Sequence, residues 1–183
     1  MRITVYLGAS EGRDPALKTA ARELGTWIGR SGHSLVYGGS KCGLMGDLAE
    51  SVLQAGGQVT GVEPRFFIEQ GFEYNDITTL IVTEDMTQRK TKMIELGEAF
   101  IAFPGGTGTL EEIAEVMSKI SLRHLAAPCI LYDLNGYYAG LRQLLAHMTD
   151  MGLSSPEKQE GIYFAANLEQ IIRILESVPP ERA

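Results

Sequence analysis

Phe103–Glu112 reads FPGGTGTLEE, and it follows directly on the apolar run AFIAF at Ala99–Phe103. The run is short, continuous and bounded by glycine, which suits a strand buried on both faces. After the glycines the period changes to that of a helix. Over Thr109–Leu125 the apolar positions Leu110, Ile113, Ala114, Met117 and Ile120 share one stripe. A buried strand, a glycine turn and an amphipathic helix make one β-α unit, and such units imply a parallel sheet.

The same unit recurs along the chain. Strands are predicted at Ile3–Leu7, Ser34–Tyr37, Gln58–Val62, Thr79–Val82, Ala99–Phe103 and Pro128–Tyr132, with a short run at Ile162–Phe164. Helical patterns cover about Pro15–Ser31, Leu44–Ala55, Thr87–Leu96, Thr109–Leu125, Tyr137–Met148 and Leu168–Glu176. Alternation of this kind predicts an α/β protein: a Rossmann-like parallel sheet of six to seven strands with helices on both faces. The 183 residues suit one domain. It is expected to span residues 1–178, with 179–183 a frayed tail.

Composition narrows the function classes. Apolar residues make up 44% and charged residues 21%, as in ordinary globular proteins, and the net charge is −7. That balance argues against non-specific nucleic-acid binding, which needs clustered Lys and Arg. A small anion needs only a local positive site. The apolar run at the N-terminus is too short and interrupted for a signal peptide, and no stretch approaches membrane-spanning length. Cys42 and Cys129 form no CxxC, and His33, His124 and His147 are scattered. A reduced cytoplasmic setting without a metal site is expected.

Ligands of open parallel sheets bind at the carboxyl ends of the strands. Three strand-to-helix turns are rich in small residues there: LGASEG, YGGSKCGLMG and PGGTGTLEE. Glycine lets the backbone approach an anion and turn its N–H groups toward it. Neither GxGxxG nor GxxxxGK[ST] is present, and the second strand ends in Tyr37-Gly38-Gly39 rather than an acid. The usual dinucleotide and Walker sites are therefore disfavoured. Gly105-Gly106-Thr107-Gly108, with the free N–H groups of the following helix, describes a phosphate cradle.

Two features admit a second explanation. Thr109-Leu110-Glu111-Glu112 fits a capping box with Thr109 at the N-cap and Glu112 three residues on, worth roughly 0.5–2 kcal/mol. The other explanation is a carboxylate facing the ligand beyond its phosphate. Arg89 and Lys90 are expected in the first turn of a helix, where cations oppose the dipole. Either Asp85 pairs with Arg89 at i,i+4, or both cations face an anion at the same sheet edge.

These blocks resemble the Lonely Guy family, whose members include cytokinin-activating phosphoribohydrolases. Pro104–Glu112 matches every fixed position of the family signature PGGxGTxxE. Met86-Thr87-Gln88-Arg89-Lys90-Thr91-Lys92-Met93 resembles MHxRKxxM, with Thr87 where His is usual. Gly38–Gly46 resembles GGGxxGLMG with Ser40 replacing a glycine, and Leu7-Gly8-Ala9-Ser10 keeps part of a CGSS-like turn. The resemblance extends over roughly residues 1–175.

It implies hydrolysis of the N-glycosidic bond of a nucleoside 5′-monophosphate, AMP or an N6-modified AMP of the cytokinin type, with no cofactor. The catalytic pair would be Arg89 and Glu112. Substrate and phosphate would be held by Gly105, Gly106, Thr107, Gly108 and Thr109, with Lys90 and Glu111 beside them and Ser10, Gly39, Met45 and Ser118 contributing. An acidic substrate-binding residue is expected upstream of Arg89, with Glu69 and Glu73 as candidates. A homodimer with its site near the interface is also implied, and Leu122, Phe66, Phe67 and Phe72 either face that interface or pack within the monomer. Two rivals remain. One is a nucleotide or cofactor carrier of the same fold without turnover. The other is a pyridoxal phosphate decarboxylase, for which Lys41 and Lys90 are merely near glycine turns.

Overall fold

The computed structural model describes residues 1–178, and the tail expected at 179–183 lies outside them. Seven strands form one parallel sheet in the order β4-β3-β2-β1-β5-β6-β7. They are β1 (Arg2–Tyr6), β2 (Ser34–Tyr37), β3 (Gln58–Pro64), β4 (Thr79–Thr83), β5 (Ala99–Ala102), β6 (Cys129–Tyr132) and β7 (Ile162–Ala165). The order reverses at β1. β1 pairs with β2 on one side, through Ile3 opposite Leu35, and with β5 on the other, through Ile3 opposite Ala99. The carboxyl ends around this reversal form the crevice in which such sheets bind ligands.

Alternation along the strands fills two cores. Ile3, Val5 and Leu7 point to one face, against α1 (Pro15–Arg30), α2 (Gly43–Gln54) and the last helix, Leu168–Ser177. Tyr6, Val36, Val62, Phe100 and Ala102 point to the other. That face is covered by α4 (Met86–Leu96), α5 (Thr107–Ser121) and α6 (Ala139–Asp150). A one-turn helix, α3 (Arg65–Ile68), was not anticipated and follows β3 at the ligand-binding edge.

Helix starts follow local chemistry. Asp14 caps α1, with Pro15 at its first position. Asp85 caps α4 by accepting the Gln88 N–H at 2.8 Å. Of the two explanations offered for Arg89, the Asp85–Arg89 pair is not formed, because the carboxylate serves the helix backbone instead. α5 begins at Thr107 rather than Thr109. Its N-cap is Gly106, which has no side chain to supply a cap. Thr109 and Glu112 therefore lie inside the helix, and the capping box is not formed.

Candidate active site

The uncapped start of α5 has a direct consequence. The first N–H groups of a helix have no partner within it, and here none is taken by a capping side chain. They sit at the positive end of a fifteen-residue helix, at the carboxyl end of β5. Thr107 and Gly108 are exposed, Gly105 is half-buried and Thr109 is buried. The turn is held from α6's side of the sheet. Tyr138 donates its hydroxyl to the Phe103 carbonyl at 2.8 Å, and Tyr137 donates to the Gly105 carbonyl at 2.5 Å. Both bonds occupy carbonyl oxygens of the turn, which would otherwise repel an anion. Neither tyrosine was anticipated from sequence. The only signal is a polar-tipped aromatic pair directly before a helix.

Glu112 lies on the second turn of α5, 7% exposed. Its Oε1 accepts from Arg89 Nη1 at 2.5 Å. Arg89 is 5% exposed and also donates from Nε to the Val62 carbonyl at the end of β3, at 3.0 Å. Its second terminal nitrogen abuts Gly38, where a Cβ would collide with it. The guanidinium is thus fixed between β3, the β2–α2 turn and Glu112. Burial pushes the Glu112 carboxyl up from its ordinary value, and the Arg89 charge works against that shift. The result is a carboxylate more basic than a solvated one, oriented by a cation that is itself held in place.

Lys90 lies one residue on, at the rim. It bonds Glu111 at 2.7 Å and approaches Glu115 at 3.5 Å. Its bond to Glu111 raises the ammonium pKa, against a smaller loss from burial. A Schiff-base lysine needs the reverse, a deprotonated amine. Lys41 is exposed. The lysines beside the glycine turns therefore do not fit pyridoxal phosphate.

The β2–α2 turn closes the site from the other side. Gly43 has φ +52°, and a Cβ there would strike the Ala9 carbonyl, so this turn packs directly on the one after β1. Gly39, with φ +89°, packs on the Glu63 side chain. Met45 lines a cavity shared with Gly38, Glu63 and Arg89, while Ser10 is exposed nearby in sequence to Ala9, which also lines it. Ser118 is not brought to the Arg89–Glu112 pair. It is exposed and lies six residues along α5 from Glu112, roughly 9 Å of helix rise. Of the acids upstream of Arg89, Glu63 near the end of β3 lines this cavity; the two candidates Glu69, which is exposed, and Glu73, which is half-buried, do not line it. Glu63 escaped notice because the predicted strand stopped at Val62. A charged residue closing an otherwise apolar strand was the available signal.

A larger depression lined by Met1, His33, Gln58 and Glu98 lies at the opposite, amino-terminal edge of the sheet. It gathers none of these groups.

The fold and the site define a class: a parallel α/β protein with a glycine turn and an uncapped helix start at the sheet's reversal and a buried Arg–Glu pair beside it. Residues 45–175 match a family model described as "possible lysine decarboxylase". A cytokinin riboside 5′-monophosphate phosphoribohydrolase of Rhodococcoides fascians is 39% identical over 176 residues, covering 96% of this chain and 89% of that protein. One from Arabidopsis thaliana is 37% identical over 180 residues, covering 98% and 83%. The chain belongs to this family, the Lonely Guy family whose motifs it carries. The molybdenum cofactor binding protein of Rippkaea orientalis has the same fold, with a TM-score of 0.70 at 21% identity over 96% of this chain and 95% of that one.

Proposed function

We propose that this chain hydrolyses the N-glycosidic bond of a nucleoside 5′-monophosphate, AMP or an N6-modified AMP of the cytokinin type, releasing the free base and ribose 5-phosphate. The observation that carries the reading is the buried Arg89–Glu112 pair beside the uncapped start of α5. The names of its relatives support it.

In this reading the phosphate rests on Gly105, Gly106, Thr107, Gly108 and Thr109, with Lys90 and Glu111 at the rim. Anchoring there is remote from the broken bond and supplies positioning. Cleavage of a ribosyl bond passes through an oxocarbenium-like state. Glu112 stabilises that positive charge and takes a proton from the attacking water. Arg89 orients Glu112 and meets the departing base. Ser10, Gly39 and Met45 contact the nucleotide from the neighbouring turns. Residues 1–178 act as one nucleotide-binding unit.

Assembly and location complete the proposal. Leu110, Leu122, Tyr137 and Leu144 on α5, α6 and their ends are large and exposed. They support a homodimer with the site near its interface, which light scattering of the purified chain checks. Among the described residues no helix is long and apolar enough to cross a membrane. We assign the protein to the cytoplasm.

The direct experiment incubates the protein with AMP and with N6-isopentenyl-AMP and measures free base by chromatography, beside Glu112→Gln. Base release that disappears in the variant is the expected result. Saturable binding with no release from either nucleotide would replace the enzyme with a carrier.

A further inference from the structure

A cavity of about 290 Å³ opens beside Arg89. That is at the small end of ligand pockets, roughly 300 Å³ and upward. Met45, Phe67 and Phe72 give it apolar walls, and its polar lining is Ser40, Glu63 and Arg89. Two of these three are already committed. Ser40 Oγ accepts from the Cys42 N–H at 3.1 Å, and Arg89 bonds Val62 and Glu112. Glu63 is not. It is 1% exposed, and its Oε2 has no hydrogen-bond partner among the described residues.

Glu63 is not an isolated anomaly. The buried side-chain polar atoms without a partner among the described residues are Tyr37 Oη, Glu63 Oε2 and Glu73 Oε2. Tyr37 directly precedes Gly38 of the cavity wall, and Glu73 is bridged through its backbone to Ser40. An unmet buried polar atom costs roughly 1–3 kcal/mol. Three gathered behind one apolar cavity indicate that something else supplies their partners.

We propose that this cavity receives the base of the bound nucleotide and that Glu63 selects it, pairing its carboxyl with an amino group and the adjacent ring nitrogen of a purine. The inference rests on the nucleoside monophosphate reading. Arg89 connects the two halves of the site, touching Glu112 where the bond breaks and lining the cavity where the base goes. Apolar walls with one hydrogen-bonding edge suit a flat heterocycle. They suit neither the phosphate, which the uncapped start of α5 receives in this reading, nor the ribose, whose hydroxyls need several partners.

The charge state of Glu63 sharpens the selection. The groups around it are Arg89 from α4, Glu73 from the segment after α3, and Tyr37 from β2. Burial pushes the Glu63 carboxyl up to about 7, with Arg89 opposing and Glu73 assisting. Below that pH it is neutral and presents one O–H donor beside one acceptor. A 6-aminopurine presents the complement, an N–H donor beside a ring-nitrogen acceptor.

The test measures binding by calorimetry in the Glu112→Gln background, which keeps ligands intact, using AMP and purine riboside 5′-monophosphate. The second ligand lacks only the amino group, so phosphate titration cancels in the ratio. A preference of about tenfold for AMP at pH 6 is expected, as one hydrogen bond contributes. It should fall between pH 6 and 8 as Glu63 ionises. Glu63→Leu should bring the ratio to about one. Glu63→Gln, which keeps a donor and an acceptor, should retain the preference and lose its pH dependence. Equal binding of the two ligands, a preference that survives Glu63→Leu, or an unchanged pH dependence in Glu63→Gln would each overturn the role of Glu63. Base release by the wild-type protein would still stand in those cases. Absence of both binding and release would remove the underlying reading as well.

Discussion

Arg89 and Glu112 stand 23 positions apart in the chain, yet Nη1 and Oε1 meet at 2.5 Å with side chains 6% and 8% exposed. Each residue therefore depends on the other. Removing the charge and removing the partner should have different effects. Glu112→Gln keeps an oxygen that can accept from Arg89, so the fold should survive with a loss of about 1 kcal/mol. Turnover should fall by about 10³-fold, the scale of a lost general base. Arg89→Ala should be inactive and also less stable by roughly 3–5 kcal/mol, because it leaves a carboxylate buried alone. Base release and thermal melts of the two variants check both statements. Comparable melting temperatures in the two would show that the pair is not structurally coupled.

The start of α5 permits a separation of ligand binding from folding. A Cβ built on Gly106 or on Gly108 meets nothing within 4 Å. Gly108 lies at the second position of the helix. Gly108→Ala should therefore fold normally and gain up to roughly 0.5–1 kcal/mol from helix propensity. If the phosphate occupies the space over this turn, the same methyl should weaken ribose 5-phosphate binding by tenfold or more. Calorimetry beside a melting curve reads both quantities. A more stable variant with unchanged affinity would move the phosphate elsewhere.

The tyrosine pair makes a third case. The Tyr138 hydroxyl is the donor to the buried Phe103 carbonyl, and the ring is 6% exposed. Tyr138→Phe should cost roughly 1–3 kcal/mol, the penalty for an orphaned buried acceptor. Tyr137 is 54% exposed, so Tyr137→Phe should leave stability nearly unchanged. It releases the Gly105 carbonyl, however, and should raise KM for the nucleotide. An unchanged KM would mean that Tyr137 does not shape the turn.

The elements most readable from sequence are those whose signals are local. The apolar runs of β2 and β5 and the helical pattern of α1 needed nothing beyond their own residues, and the alternation of such runs implied the parallel sheet. Two readings that the sequence left open were decided by a stronger competitor than the local pattern. Thr109 and Glu112 carry the spacing of a capping box, yet the helix starts at Thr107 and buries both residues. Asp85 and Arg89 carry the spacing of an ion pair, yet the aspartate caps α4 and the arginine reaches β3 and α5. Glu63 and the two tyrosines acquire meaning only when several strand ends converge. The Arg89–Glu112 contact itself rested on motif resemblance, since no periodicity links two helices on different β-α units.

Glu63 also gives the protein a specific pH response. Its carboxyl lies at about 7 in the folded chain against an ordinary value of 4.5. Between those values the folded state binds more protons than the unfolded state, so stability falls as pH rises. The contribution of a neutral Glu63 is fully present below about 4.5 and lost as pH passes through about 7. Glu112 is shifted in the same direction, so the wild-type curve alone does not isolate either group. Chemical denaturation of wild type and Glu63→Gln at pH 5 and pH 8 separates them. The wild type should lose more stability than the variant over that interval, with the two curves converging toward acid. Equal losses in the two proteins would mean that Glu63 titrates normally and is not the buried neutral acid of the site.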